Sequence, residues 1–223
     1  MIPLVLASRH GVRPIRSAAL ALAVLLAGCG DTPGGAVVEA LAESVAPDRT
    51  PPVTRAEAMA LPFASALVTL GGRRPAFVVL HSTQGGRQIW LTADRVAIAT
   101  DQGRVVSVAG LPGAISETRF RDGLPPKPLA GGEHLRLVDI APALWGLVVS
   151  CAGREDGEET ITILGEQIPT WRAVETCRTE RGDRFTERFW IGAEDGLIWR
   201  AEQWIGPGLP RLIFELVKPP TSW

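Results

Sequence analysis

Arg184-Phe-Thr-Glu-Arg-Phe-Trp-Ile191, Ala193-Glu-Asp-Gly196 and Leu197-Ile-Trp-Arg-Ala-Glu-Gln-Trp-Ile205 follow one another near the C-terminus. The first and last segments are rich in aromatic and β-branched residues. The middle one carries the Asp-Gly pair typical of tight hairpins. Together they predict a β-hairpin. Side chains alternate across a strand, so Ile198, Arg200, Glu202 and Trp204 share one face of its second strand. Trp199, Ala201 and Gln203 share the other. Trp199 and Trp204 therefore cannot both face one core unless a bulge intervenes.

The same pattern extends outward from this hairpin. Leu144–Cys151, Glu159–Leu164, Trp171–Arg178 and Arg211–Val217 are further strand candidates. Upstream, Ala66–Leu70 and Ala76–Leu80 flank Gly71-Gly72. Gln88–Thr92 and Val96–Thr100 follow, and Asp101-Gln-Gly103 turns the chain into Arg104–Val108. Strands roughly ten residues apart, with turn signals between them, predict a mainly β chain folded as an antiparallel sandwich or barrel-like domain. Residues 109–132 are rich in Gly and Pro and are expected to run over the surface. No βαβ alternation and no glycine-rich phosphate loop is visible. Two short helices are expected before the β region. One covers 36–45, where Val37, Val38, Leu41 and Val45 recur at helical spacing. The other runs from Thr54-Arg-Ala-Glu57, a capping box, to about Leu61.

The N-terminus is of another kind. Arg9, Arg13 and Arg16 precede the apolar run Ala18–Leu26, and no acid occurs before Asp31. This is the layout of an export signal. The run has nine residues, short of the ~20 that span a bilayer. It ends in Leu26-Ala27-Gly28-Cys29, which resembles the lipobox of bacterial lipoproteins. The resemblance implies that Cys29 receives diacylglycerol, that residues 1–28 are removed, and that the new amine takes an acyl chain such as palmitate. Several acyl chains anchor a protein durably where one does so only marginally. The expected organisation is a signal peptide (1–28), a lipidated N-terminus with leash and short helix (29–53), a β domain (54–218) and a tail (219–223).

The formal net charge of −1 falls to −4 once Arg9, Arg13 and Arg16 are lost. A mildly acidic chain of this kind does not point to nucleic acid, and the lipid rather than a basic patch would hold it at a membrane. With Cys29 assigned, Cys151 and Cys177 remain. In an oxidising compartment they are expected to form a disulfide, the alternative being two buried thiols. The 26-residue loop makes such a bond worth up to about 3 kcal/mol in the chain-entropy account.

No metal site is expected, because there is no CxxC and His81 and His134 lie far apart in sequence. No cofactor beyond the covalent lipid is expected either. No catalytic residues are assigned. Ser150 lies in an apolar strand rather than on a Gly-x-Ser-x-Gly turn, and His134 follows Glu133 in a loop-like Gly-Gly-Glu-His. Glu158-Glu159 and Glu194-Asp195 occupy turn-like positions. Trp199, Gln203 and Trp204 are the candidate ligand-binding residues, since aromatic planes suit the C–H faces of sugar rings. The structural reading has the tryptophans filling the core or pinning cross-strand pairs.

Several segments together resemble the YjbF/GfcB lipoproteins, a family associated with group 4 capsule and exopolysaccharide production. They are Leu70-Gly-Gly-Arg73, Gln88-Ile-Trp-Leu-Thr-Ala-Asp94 and Gly103-Arg-Val-Val-Ser-Val-Ala-Gly-Leu111 in the first half. In the second half they are Val174-Glu-Thr-Cys177, Phe189-Trp190, Asp195–Arg200 and Gln203-Trp-Ile-Gly-Pro207, the last being the most specific. Phe189 stands where the family commonly has tyrosine. The resemblance covers residues 54–218 and implies an all-β lipoprotein on the periplasmic face of the outer membrane. Gly30 and Asp31 do not by themselves fix which membrane. The function it implies is a non-enzymatic accessory of polymer production or secretion, with other export proteins or the polymer as partners. A polysaccharide-modifying enzyme and an assembly factor for an outer-membrane β-barrel are the alternatives.

Overall fold

The computed structural model describes residues 51–220. The signal, Cys29, the leash and the helix expected at 36–45 lie outside the described residues. Helix α1 (Arg55–Ala60) starts where the capping box places it. The Glu57 backbone N–H donates to Thr54 Oγ1 (3.3 Å), and the Thr54 N–H donates to Glu57 Oε2 (2.8 Å). The Thr54 N–H and the Thr54 hydroxyl, which donates to the same Oε2 (2.7 Å), hold the Glu57 carboxyl below the usual carboxylate range. Leu61 ends the helix in an extended conformation.

Twelve strands follow: β1 (Ser65–Leu70), β2 (Ala76–Gln84), β3 (Arg87–Thr92), β4 (Ala97–Asp101), β5 (Arg104–Ala109), β6 (Glu117–Phe120), β7 (Gly132–Ile140), β8 (Leu144–Ile163), β9 (Glu166–Thr179), β10 (Arg184–Gly192), β11 (Ile198–Gln203) and β12 (Leu212–Lys218). They form one sheet in the order β5-β4-β3-β2-β1-β12-β11-β10-β9-β8-β7-β6, antiparallel throughout. Each strand pairs with its neighbour in sequence except at two places. The first strand meets the last, Leu67 opposite Glu215. Strands β5 and β6 do not form a ladder, but the Val108 N–H donates to Ile115 O (2.8 Å) and Ser107 Oγ donates to Ser116 O (2.9 Å). The sheet is thus an up-and-down barrel closed everywhere but at this seam, which removes most of the exposed edge.

The barrel is flattened. Strands β5 and β11 belong to opposite walls, yet Gly103 lies against Ile198 so closely that an added Cβ would stand 2.8 Å from the Ile198 Cβ. Glycine also supplies the φ of +79° needed there. The barrel and sandwich expectations therefore describe one object. Its core includes Val68, Val78, Trp90, Ile98, Val149, Phe214 and Leu216. Trp90 meets Phe214 edge to face at 5.3 Å and donates its indole N–H to Thr100 Oγ1 (2.9 Å).

Three expectations need correction. The 109–132 region is not all surface loop: it contains β6 and a 3-10 turn at Pro128–Ala130. His134 lies on β7, not in a loop. Leu144–Cys151 and Glu159–Leu164 belong to one long run, β8 extending through Ile163, so Glu158 and Glu159 are strand residues. A bulge between Glu155 and Glu158 contains Gly157 at φ +94° and breaks the regular pairing of β8 with β9.

Candidate functional site

The interior of the barrel is charged as well as apolar. Glu175 on β9 stands directly opposite Glu187 on β10. Like charges in that relation repel, and each carboxylate has its own arginine. From β5, Arg104 donates Nη1 to Glu175 Oε2 (3.0 Å), donates Nη2 to Oε1, and donates Nε to Pro126 O (2.9 Å). From β7, Arg136 donates to both Glu187 oxygens at 3.0 and 2.7 Å. Arg104 also stacks 4.3 Å from the Phe189 ring centre. All four side chains are at most 4% exposed. Burial pushes the Glu175 carboxyl up, but the hydrogen bonds and charge of Arg104 outweigh it and hold it below the usual range.

His134 places Nε2 3.7 Å from Glu175 Oε2. Burial holds its pKa below the ordinary value, against the pull of Glu175. Beside it, Cys151 and Cys177 face each other across β8 and β9 with their sulfurs 2.03 Å apart. Two donor groups that could hold a metal occur among the described residues: His134, Cys151 and Glu175, and Glu175, Cys177 and Glu187. Their sulfurs are bonded to each other and their carboxylates to arginines. Ser150 is exposed on β8, and His81 is exposed on β2.

Sequence reasoning singled out Gln203, Trp204 and Trp199 as ligand candidates. Gln203 is 1% exposed. Its Oε1 accepts the Val105 N–H (2.7 Å) and its Nε2 donates to Val105 O (3.3 Å), so it substitutes for a strand partner of β5. Trp204 stacks on Phe185 at 4.6 Å and 13°. The Ile115 N–H donates to Ile205 O (2.7 Å), and a Cβ on Gly206 would lie 2.2 Å from Gly113 O. The Gln203-Trp-Ile-Gly-Pro207 segment thus ties both sides of the β5–β6 seam. Trp199 donates its indole N–H to Asp195 Oδ2 (3.0 Å) and braces the hairpin turn.

The opposite face of the same strands points out of the barrel and is covered in part. Beyond the bulge, Ile161, Ile163 and Ile168 of the β8–β9 hairpin pack on Leu67, Trp190 and Val217, with Ala58 of α1. Polar ties also hold this arm. Trp190 Nε1 donates to Glu159 Oε2 (3.0 Å), and Arg200 Nη2 donates to Thr162 O (3.1 Å). Between the arm and the outer face of β1, β12 and β11 lies a groove of about 500 Å³. Arg200, Glu202 and Glu215 give it a polar floor; Leu67, Ile213 and Leu164 give it apolar surface; Gly71 and Pro75 of the β1–β2 turn border it. Arg200 Nε donates to Glu215 Oε1 (2.8 Å), and Arg188 Nη1 donates to Glu202 Oε2 (3.0 Å). Arg211 Nε lies 3.8 Å from the other Glu202 oxygen. No sequence signal identified this groove, because its wall comes from a hairpin that folds onto distant strands.

Comparisons with known proteins agree with this architecture. The family model described as "Group 4 capsule polysaccharide lipoprotein gfcB, YjbF" matches residues 38–217. The uncharacterized lipoprotein YjbF of Escherichia coli (strain K12) is 27% identical over 159 residues, which cover 66% of this chain and 71% of that protein. The crystal structure of the hypothetical lipoprotein YmcC from Escherichia coli (K12) aligns with a TM-score of 0.68 over 86% of this chain and 99% of that one. At 20% identity it establishes a shared fold.

Proposed function

The chain belongs to the group 4 capsule polysaccharide lipoprotein family, and on that premise we propose that it is a non-enzymatic accessory of capsule or exopolysaccharide production or secretion. Lipid on Cys29 holds it on the periplasmic face of the outer membrane. The family match over residues 38–217 carries this reading. Among the described residues, no helix is long and apolar enough to cross a membrane, and a lipidated cysteine supplies the attachment instead.

The non-enzymatic part is supported by where the chemistry-bearing side chains lie. The interior carboxylates Glu175 and Glu187 are bonded to arginines and are no more than 2% exposed. A glycosidase acid–base pair has to face substrate across a cleft. His134 turns inward toward Glu175 and the disulfide.

Deleting the gene and weighing secreted polymer tests the proposal. The expected result is a fall in polymer amount or chain length, restored by the wild-type gene but not by Cys29→Ala. Unchanged polymer overturns it.

A further inference from the structure

We propose that the groove between the β8–β9 arm and the outer face of β1, β12 and β11 binds a segment of acidic polysaccharide. This deepens the accessory role and rests on it for the choice of polymer. The whole chain carries a formal net charge of −1, but the immediate surroundings of the groove hold more cations than acids. Arg200 lines the floor, Arg188 and Arg211 flank it through Glu202, and the exposed Arg73 lies in the turn between the bordering residues Gly71 and Pro75. Against these four stand Glu202 and Glu215. Glu166 at the arm is already paired with Arg55 (3.2 Å). The excess cations complement a carboxylate-bearing polymer, and concave low-dielectric walls focus that field.

The donors are also accessible. Arg188 is 40% and Arg211 is 36% exposed, and both share the single carboxylate of Glu202. Planar guanidinium groups bind carboxylates through two parallel N–H donors. The carboxylates Glu202 and Glu215 are acceptors for sugar hydroxyls, and Ile213, Leu67 and Pro75 supply apolar surface for ring C–H faces.

The test uses the full-length lipidated protein in detergent micelles and measures binding by isothermal titration. Polygalacturonate, alginate and hyaluronan are the acidic probes, and dextran and pullulan the neutral ones. At least one acidic polymer is expected to bind, with affinity falling as salt rises, while the neutral polymers do not. The double variant Arg188→Gln/Arg211→Gln should weaken binding by about tenfold or more. Arg73→Gln, at an exposed turn, should weaken it without touching the folded sheet. Arg154→Gln, an exposed arginine on β8 away from the groove, should leave it within about twofold. Failure to bind any acidic probe, equal binding of neutral polymers, or an equal loss with Arg154→Gln overturns the proposal. In cells, full restoration of polymer by the Arg188→Gln/Arg211→Gln gene, where deletion lowers it, removes the groove's role and leaves the accessory role standing. Groove-dependent binding in vitro with no polymer change on deletion does the reverse.

Discussion

Arg136–Glu187 and Arg200–Glu215 are the same chemistry on opposite sides of one sheet. Their closest contacts are alike, 2.7 and 2.6 Å. Their surroundings are not. The first pair is 4% and 0% exposed inside the barrel, whereas the second is 22% and 16% exposed on the groove floor. Water screens the outer pair, so its members can exchange each other for a ligand at little cost. The inner pair has no such alternative. Desolvation costs several kcal/mol per ion, and only the partner offsets it. Burial pulls the Arg136 guanidinium down, and Glu187 more than reverses that, so it stays charged. The inner face therefore specifies the fold, and the outer face is free to serve recognition.

Glu187→Ala gives the largest effect expected from this contrast. It strands Arg136 inside the barrel and should cost about 3–5 kcal/mol, read as a shift in the urea midpoint. The double change Arg136→Met/Glu187→Leu removes both charges and should recover most of that loss. A single variant that unfolds within about 1 kcal/mol of wild type would mean water reaches the pair, and the contrast between faces would collapse.

Acid comes next, because it changes one charge rather than a side chain. His134 has a folded pKa below its ordinary value of about 6.5. The folded state thus disfavours the protonated ring, so this stability is intact above about pH 6.5 and is lost as pH falls below it. Glu175 is depressed by Arg104, and its contribution is lost only at more acidic pH, as pH falls through its folded value. Denaturation midpoints should decline in two stages. His134→Leu should abolish the upper stage and leave the lower. An unchanged upper stage in that variant would assign the effect to another group.

This polar interior also explains which parts of the fold were legible in the sequence. Strands β1–β5 and β10–β12 follow apolar runs punctuated by turn residues, and they lie where those runs predict. Strand β7 was missed for a physical reason. Its inward positions include His134 and Arg136, while Leu135 and Leu137 point outward at 37% and 41% exposure. Alternation is present with its usual meaning reversed. Glu175 and Glu187 likewise look like solvent-facing residues, and only the arginines of β5 and β7 make their burial tolerable. The Gln203-Trp-Ile-Gly-Pro207 run was visible as a motif, yet its role at the seam depends on Val105 and Gly113, about a hundred residues away. The groove depends on the β8–β9 arm reaching β1 and β12, a contact with no local signature.

The smallest expected effect is the one that most sharpens the comparison. Arg200→Gln removes the groove-floor cation, its bond to Glu215 and its tie to Thr162 O. Ion pairs that water can reach contribute about 0–1 kcal/mol, and this pair is 22% and 16% exposed, so its urea midpoint should fall only slightly. The uncharged amide keeps part of the contact to the arm, and Trp190–Glu159 still holds the arm in place. A loss as large as that of Glu187→Ala would show that Arg200 braces the arm, and a brace cannot also release its partners to a polymer. A small loss in stability together with weaker binding of acidic polymer separates the two faces as the geometry does: inner charges fixed by each other, outer charges available.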